Sequence, residues 1–103
     1  MKGVFKRPQF LHDLAEELTW LGEKAGAAVA ERWYQAVLDT IDDLRRHPGL
    51  GRERLDLKPP GVRSWRVKRF PRWLIFYMVS DGDLALLRVR YGTINLPGMK
   101  MTS

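Results

Sequence analysis

The first stretch of the chain repeats its hydrophobic residues with the spacing of a helix. Between Pro8 and about Lys24 the leucines recur three and four residues apart, at Leu11, Leu14, Leu18 and Leu21. The acidic residues of this stretch fall mostly elsewhere, which predicts an amphipathic helix. Pro8 suits the first helical position, because the N–H that proline lacks has no partner there. Gly26 predicts a break before the next element.

A second hydrophobic stripe predicts a second helix, from about Ala27 to Arg46. Its members share one helical face: Val29, Trp33, Val37, Ile41 and Leu44. Basic residues at the carboxyl end complement the helix dipole, and Pro48 and Gly49 cannot continue the helix. Because so few residues separate the two helices, we expect a tight helical hairpin.

After residues 50–61 the hydrophobic period changes to two, which is typical of strands. The β-branched and aromatic residues of this region are Val62, Trp65, Val67, Trp73, Ile75, Phe76, Tyr77 and Val79. Asp81 and Gly82 form a strong two-residue hairpin signal, because glycine supplies the positive φ that such a turn needs. We expect a further strand around Arg63 to Arg69 and a short first strand near Val4 to Lys6.

The turn at Asp81 and Gly82 predicts the register of the hairpin around it. Counting outward pairs Val79 with Leu84, Met78 with Ala85, Tyr77 with Leu86, Phe76 with Leu87, Ile75 with Arg88, Leu74 with Val89 and Trp73 with Arg90. One face is then apolar and should receive the helices: Leu74, Phe76, Met78, Ala85, Leu87 and Val89. The other mixes aromatic residues with cations and should be partly open: Trp73, Ile75, Tyr77, Leu86, Arg88 and Arg90. We therefore predict an α+β fold of two layers, an antiparallel helical hairpin packed on one face of a small antiparallel sheet.

Length and composition favour one small domain that spans residues 1–103. The 103 residues are 45% hydrophobic and include no cysteine, which is typical of a reducing compartment. No run approaches the roughly 18 apolar residues that span a bilayer, and the amino-terminal residues are too charged for a signal peptide. We therefore expect a cytoplasmic protein without a membrane partner.

Charge is distributed unevenly along the chain. Residues 1–50 contain seven Lys/Arg and eight Asp/Glu, whereas residues 51–103 contain eleven and four, for a net charge of +6. A basic half favours an acidic partner, either nucleic acid or an acidic protein segment. Two distant histidines without cysteine do not form a metal site, and no glycine-rich phosphate loop follows a strand. We predict neither a metal nor a cofactor.

The order of these motifs resembles the RelE/ParE toxin superfamily along nearly the whole chain. The most specific piece is HPGLG at residues 47–51 after an amphipathic helix, followed by IFY at 75–77, the Asp-Gly turn and LRVRYG. The resemblance implies a bacterial toxin that arrests growth and is held inactive by a cognate antitoxin, ParD-like or similar. An acidic antitoxin would suit the basic second half. The same surfaces could join copies of the toxin into a homo-oligomer when it is alone.

The superfamily divides into ribosome-dependent mRNA endonucleases and ParE-like proteins that inhibit DNA gyrase, and a fold alone does not choose between them. Cleavage of RNA needs cations with a general acid and base in one place. Residues 93–103 contain no Tyr, His or Glu, where mRNA-cutting relatives commonly carry the acid. Tyr91 with Arg90 and Arg72 is the remaining catalytic candidate. We favour the gyrase inhibitor, which binds without catalysis; the alternative is the endonuclease with ribosome-bound mRNA as its substrate.

Arginines interleaved with aromatic residues predict the binding surface, since both types are enriched where proteins bind partners. The candidates for target or antitoxin binding are Trp20, Trp65, Arg66, Arg69, Arg72, Trp73, Tyr77, Arg88 and Arg90. ParE relatives often carry a histidine and basic residues around the final glycine, where this chain has Tyr91 and Thr93. A third hypothesis is a non-toxic basic module that binds nucleic acid by charge and base stacking on Trp73 or Tyr77.

Overall fold

The computed structural model describes residues 3–92, which contain two long helices in the predicted places. Helix α1 spans Pro8–Ala25 and helix α2 spans Ala27–Arg46. Pro8 begins α1 at the position where it costs no hydrogen bond. Gly26 lies between the helices with φ of +97°, a conformation that side chains with a Cβ rarely adopt. The predicted helical hairpin is confirmed.

The strands form one mixed sheet of five members. In chain order they are β1 (Val4–Lys6), β2 (Arg52–Glu53), β3 (Arg63–Val67), β4 (Phe70–Ser80) and β5 (Asp83–Tyr91). Their order across the sheet is β1-β5-β4-β3-β2, and only the β1–β5 pair is parallel. We had expected an antiparallel sheet. The chain leaves β1 through the helical layer instead of a tight turn, so nothing forces β1 to run against its neighbour.

The helices pack on one face of the sheet and form the main core with it. The helical members are Phe10, Leu21, Ala30, Trp33, Ala36, Val37, Ile41 and Leu44, and the sheet members are Val67, Ile75, Tyr77, Leu84, Leu86 and Val89. This assignment reverses our expectation that Leu74, Phe76, Met78, Ala85 and Leu87 would face the helices. Of the six residues predicted to do so, only Val89 does.

A β-bulge explains why Val89 is the exception. The predicted pairs of Val79, Met78 and Tyr77 are confirmed, but Leu87 is an extra residue without a partner opposite it. Beyond the bulge the observed pairs are Phe76 with Arg88, Ile75 with Val89, Leu74 with Arg90 and Trp73 with Tyr91, so the four pairs predicted there are wrong. A bulge places two residues of one strand against one of its neighbour, which changes the register of everything after it.

The second face of the sheet is also covered in part. Leu57 and Val62, from the connection between β2 and β3, pack against Phe76, Ala85 and Leu87. A sheet whose two faces are both covered carries apolar residues on both, so alternation alone does not identify the helical side. In the part of the chain described here, neither helix has the length and apolar character needed to cross a membrane.

Candidate binding surfaces

Predicted site residues from three elements meet in a groove beside α1, which we call the α1 groove. It is lined by Glu17, Trp20, Arg72, Trp73 and Tyr91 and has a volume of about 490 Å³. The Trp73 indole N–H donates a hydrogen bond to the Glu17 carboxylate. The Trp73 and Tyr91 rings meet edge to face, with centroids 4.9 Å apart. These contacts connect α1, β4 and β5 and hold the aromatic wall of the groove in place.

Trp20 and Arg72 supply the accessible part of the α1 groove. Trp20 is 49% exposed on the outer side of α1, away from the leucine stripe. Arg72 donates a hydrogen bond from Nη1 to the Tyr91 hydroxyl at 3.2 Å, and this hydrogen bond raises the pKa of the guanidinium above its usual value. The groove therefore offers a fixed cation next to exposed and half-buried aromatic rings, as protein-binding surfaces commonly do.

Arg88 and Arg90, two of the predicted binding residues, converge on a buried carboxylate instead of solvent. Asp13 of α1 is fully buried, and its carboxylate accepts hydrogen bonds from Arg88 Nε at 2.6 Å and Arg90 Nη1 at 3.3 Å. It also accepts one from the Val89 backbone N–H at 3.3 Å. Arg88 is 7% exposed, so its surroundings are those of an ion pair inside the protein. Arg90 also lies 3.7 Å from Glu16 at the surface.

Tyr77, another predicted binding residue, is buried and explains the HPGLG motif. Its hydroxyl donates to the Pro48 carbonyl at 2.6 Å and accepts from the Gly51 N–H at 2.9 Å. Arg63 donates to the Gly51 carbonyl at 2.6 Å. A Cβ on Gly51 would lie 2.5 Å from the Tyr77 hydroxyl, so the close approach requires glycine. Burial raises the pKa of Tyr77. The loop after α2 is thus attached to the middle of β4.

A second groove lies along β3 at the opposite side of the sheet, and we call it the β3 groove. It is lined by Leu50, Arg52, Arg54, Trp65, Arg66 and Leu74, together with Ser64 and Pro71. The Arg66 guanidinium stacks over the Trp65 ring at 4.5 Å. Arg54 is nearly buried and donates to Asp56 at 2.6 Å and to Ser64 at 3.2 Å. Two predicted residues, Trp65 and Arg66, therefore belong to a different surface from Trp20 and Trp73.

Arg69 lies apart from both grooves. It occupies the turn between β3 and β4 with φ of +67°, and it donates to Asp39 of α2 at 3.0 Å. This hydrogen bond is the second cause, after that from Gln35, of the lowered pKa of Asp39. Lys68 beside it pairs with Asp43 at 2.9 Å. These cations hold the turn against α2, and both pairs are solvent-exposed, where ion pairs contribute little.

The predicted catalytic residues are only partly brought together. Arg72 and Tyr91 form a hydrogen-bonded pair, whereas Arg90 extends towards Asp13 and Glu16 in the next depression along α1. Residues 93–103, where related endonucleases place their acid, lie outside the described residues. Within residues 3–92, no cluster of His, Cys, Asp or Glu has the arrangement of a metal site.

Residues of these sites that escaped the sequence analysis include Asp13, Glu17, Leu50, Arg52 and Arg54. Asp13 and Glu17 are acidic positions on a helix that was expected to place its acids in solvent. The available signal was the pair of arginines at Arg88 and Arg90 in an otherwise apolar strand, because buried charges in proteins are paired. For Leu50 and Arg52, the sequence offers no signal beyond a polar connection.

Comparison with known proteins gives consistent similarities. The family model described as ParE toxin of type II toxin–antitoxin system, parDE, matches residues 4–96. Toxin ParE3 of Caulobacter vibrioides is 34% identical over 74 residues, which are 72% of this chain and 70% of the relative. A solved chain described as the chromosomal ParDE TA system from P. aeruginosa superposes with a TM-score of 0.73. That chain is 19% identical, and the match covers 88% of this chain and 96% of the other, which is a likeness of fold.

Proposed function

Because the chain belongs to the ParE toxin family of type II toxin–antitoxin systems, we propose that it inhibits DNA gyrase by binding and without catalysis. The family makes this chain a toxin whose partner is an antitoxin. The proposal adds the target, DNA gyrase, and the compartment, the cytoplasm, where gyrase acts. It also adds the surface that binds the target, which is the α1 groove.

The observation that carries the proposal is the composition of the α1 groove. Trp20 is half exposed beside the ordered rings of Trp73 and Tyr91, and Arg72 is held at the rim. Tryptophan, tyrosine and arginine are the residue types that most often dominate the binding energy of protein interfaces. Because contacts among Glu17, Trp73 and Tyr91 fix the wall in advance, little side-chain entropy is lost when a partner binds.

The alternative function is a ribosome-dependent mRNA endonuclease. The hydrogen bond between Arg72 and Tyr91 supports it, since a cation beside a phenol could orient a phosphate and supply a proton. Arg88 and Arg90 argue against it, because both share the carboxylate of Asp13. A phosphate would have to compete with this buried carboxylate for their donors. We therefore rank gyrase above the ribosome as the target.

The test combines purified gyrase with this chain and its Trp20→Ala variant. We expect the parent to inhibit supercoiling and to accumulate cleaved DNA, and the variant to lose at least about tenfold in potency, the loss of about 1.4 kcal/mol of binding energy. Tyr34→Ala is the matched control, because Tyr34 is an exposed aromatic residue on α2 outside both grooves. It should act like the parent.

Transcript cleavage is followed in parallel with ribosomes and mRNA. If the parent cleaves mRNA on the ribosome while gyrase is unaffected, the gyrase target is wrong and the endonuclease takes its place. In that case Tyr91→Phe should abolish cleavage, since Tyr91 would be the proton donor. If gyrase is inhibited equally by the parent and Trp20→Ala, the target stands but the α1 groove is not its binding surface.

A further inference from the structure

We propose that the β3 groove binds an acidic segment of the antitoxin that also carries apolar side chains. The inference rests on the antitoxin partner in the proposed function and is independent of the gyrase target. It assigns the antitoxin and the target to different surfaces.

The β3 groove is positively charged. It is lined by three arginines and by no acidic residue. Arg52 and Arg66 are exposed, and within residues 3–92 neither forms an ion pair. Asp56, beside the groove, is already engaged: its pKa is lowered chiefly by the hydrogen bond from Arg54 and to a smaller extent by the charge of Arg52. Two guanidinium groups are therefore available to carboxylates from outside the chain.

Two arginine side chains of the β3 groove are held in place by contacts within the protein. Stacking on the Trp65 ring directs the Arg66 guanidinium, and such cation–π contacts favour one orientation of an otherwise flexible side chain. Arg54 is fixed by Asp56 and Ser64 at one wall. Because these arginines are already ordered, binding of a carboxylate costs less side-chain entropy than binding to mobile arginines would.

The apolar part of the groove decides between kinds of ligand. Leu50 is 40% exposed, and it lines the groove with Leu74 and Pro71. Phosphate groups gain nothing from such a surface, whereas a peptide buries apolar side chains against it while its acids reach the arginines. The combination favours an acidic, partly apolar peptide over nucleic acid.

Neighbouring residues of β4 separate this groove from the α1 groove. Pro71 and Leu74 line the β3 groove, while Arg72 and Trp73 line the α1 groove. The α1 side carries more acidic residues, because a depression next to the α1 groove is bordered by Glu16, Glu17 and Glu23 together with Arg90. An acidic segment is therefore attracted less strongly there than at the β3 groove, which has no acidic residue in its lining.

The experiment measures the affinity of the full-length antitoxin, encoded beside the toxin, for toxin variants by calorimetry. We expect the double variant Arg52→Ala, Arg66→Ala to bind at least about tenfold more weakly, and to lose less affinity than the parent when salt is raised. Arg66→Glu should weaken binding more than Arg66→Ala. The matched control is Lys24→Ala with Arg32→Ala, which removes two exposed positive charges outside the groove and should bind like the parent.

A photoreactive residue in place of Leu50 locates the antitoxin directly, and we expect it to crosslink to the antitoxin. Unchanged affinity of the arginine double variant, an equal loss in the control, or no crosslink from position 50 overturns the proposal. So does a labelled oligothymidine that binds the parent but not the arginine variant while antitoxin affinity is unchanged. If the arginine variants lose stability, Arg52→Gln with Arg66→Gln replaces them. Gyrase is absent from these measurements, so failure of the gyrase target leaves their outcome readable.

Discussion

The Asp13 carboxylate on α1 accepts two hydrogen bonds from the Arg88 guanidinium on β5, from Nε at 2.6 Å and from Nη2 at 3.0 Å. The pair lies where β1 has ended and β5 would otherwise have a free edge. Asp13 takes part of the missing strand's place, because it accepts the Val89 backbone N–H. One carboxylate therefore attaches the helical layer to the sheet and also provides a hydrogen-bond acceptor for the Val89 N–H at the sheet edge.

We expect Asp13→Asn to destabilise the protein by about 3–5 kcal/mol, because it leaves the buried Arg88 without a counter-charge. Urea denaturation measures the change in the free energy of unfolding. Glu16→Gln is the control: Glu16 is exposed and lies 3.7 Å from Arg90, so its loss should cost less than about 1 kcal/mol. Equal unfolding midpoints for Asp13→Asn and the parent would contradict the role given to this pair.

Two glycines of the HPGLG loop should respond oppositely to alanine. A Cβ at Gly51 would meet the Tyr77 hydroxyl at 2.5 Å and the Ser64 carbonyl oxygen at 2.8 Å, whereas one at Gly49 would meet nothing within 4 Å. We expect Gly51→Ala to cost about 1–3 kcal/mol through overpacking. Gly49→Ala should be neutral or slightly stabilising, because it restricts the unfolded chain. Thermal melts of both variants test the difference, and a harmless Gly51→Ala would refute the close packing.

Removal of the Tyr77 hydroxyl should lower stability by about 1–3 kcal/mol, since the Gly51 N–H and the Pro48 carbonyl lose their partner. Denaturation of Tyr77→Phe measures this loss, and Tyr34→Phe, at an exposed position on α2, is the control. If the two substitutions cost the same, the hydroxyl does not hold the loop.

The same tyrosine predicts a dependence of stability on pH. Burial raises the pKa of Tyr77 above its ordinary value of 10.0, so above that pH the unfolded chain releases this proton before the folded one does. The contribution of the raised Tyr77 pKa to the free energy of unfolding is complete below pH 10, and it is lost as the pH rises towards the pKa of the folded protein. We expect unfolding midpoints of the parent to fall in this alkaline range more steeply than those of Tyr77→Phe. Parallel pH curves for the two proteins would exclude the effect.

Alanine in place of a glycine in a turn and of one in a helix should change the free energy of unfolding in opposite directions. Gly82 has φ of +82° in the turn between β4 and β5, and Gly22 lies inside α1 with nothing within 4 Å of its Cβ position. We expect Gly82→Ala to destabilise by about 1 kcal/mol, because alanine is strained at that φ. Gly22→Ala should stabilise by about 1 kcal/mol through higher helix propensity. Unfolding free energies of the same sign for both variants would contradict these assignments.

The helices were predictable because their signals agree with one another. The leucine stripe, Pro8 and Gly26 all indicate the same boundaries, and the structure has them. The hairpin register was correct only as far as Tyr77 and Leu86. The bulge escaped prediction because β5 is apolar on both faces from Leu84 to Leu87, so a shift of one residue leaves the hydrophobic pattern nearly unchanged.

The candidate surfaces were predictable by residue type but not by arrangement. Trp20, Arg72 and Trp73 are predicted as binding candidates and Tyr91 as the remaining catalytic one, and they meet in one groove. Arg88 is predicted as a binding residue because arginines and aromatic residues are interleaved around it. Its position inside an ion pair depends on Asp13, which is 75 residues away along the chain, and no local pattern reveals such a distant partner.

The order of the elements along the chain bears on synthesis of this toxin. Both helices leave the ribosome before β3, β4 and β5, the strands that bury Trp33, Val37 and Leu44. The apolar stripes therefore have no sheet to pack on until more than half of the chain has been made. A nascent toxin exposes them to chaperones, proteases and other chains during this interval, and translation must run nearly to Tyr91 before the last of the three strands closes the layer.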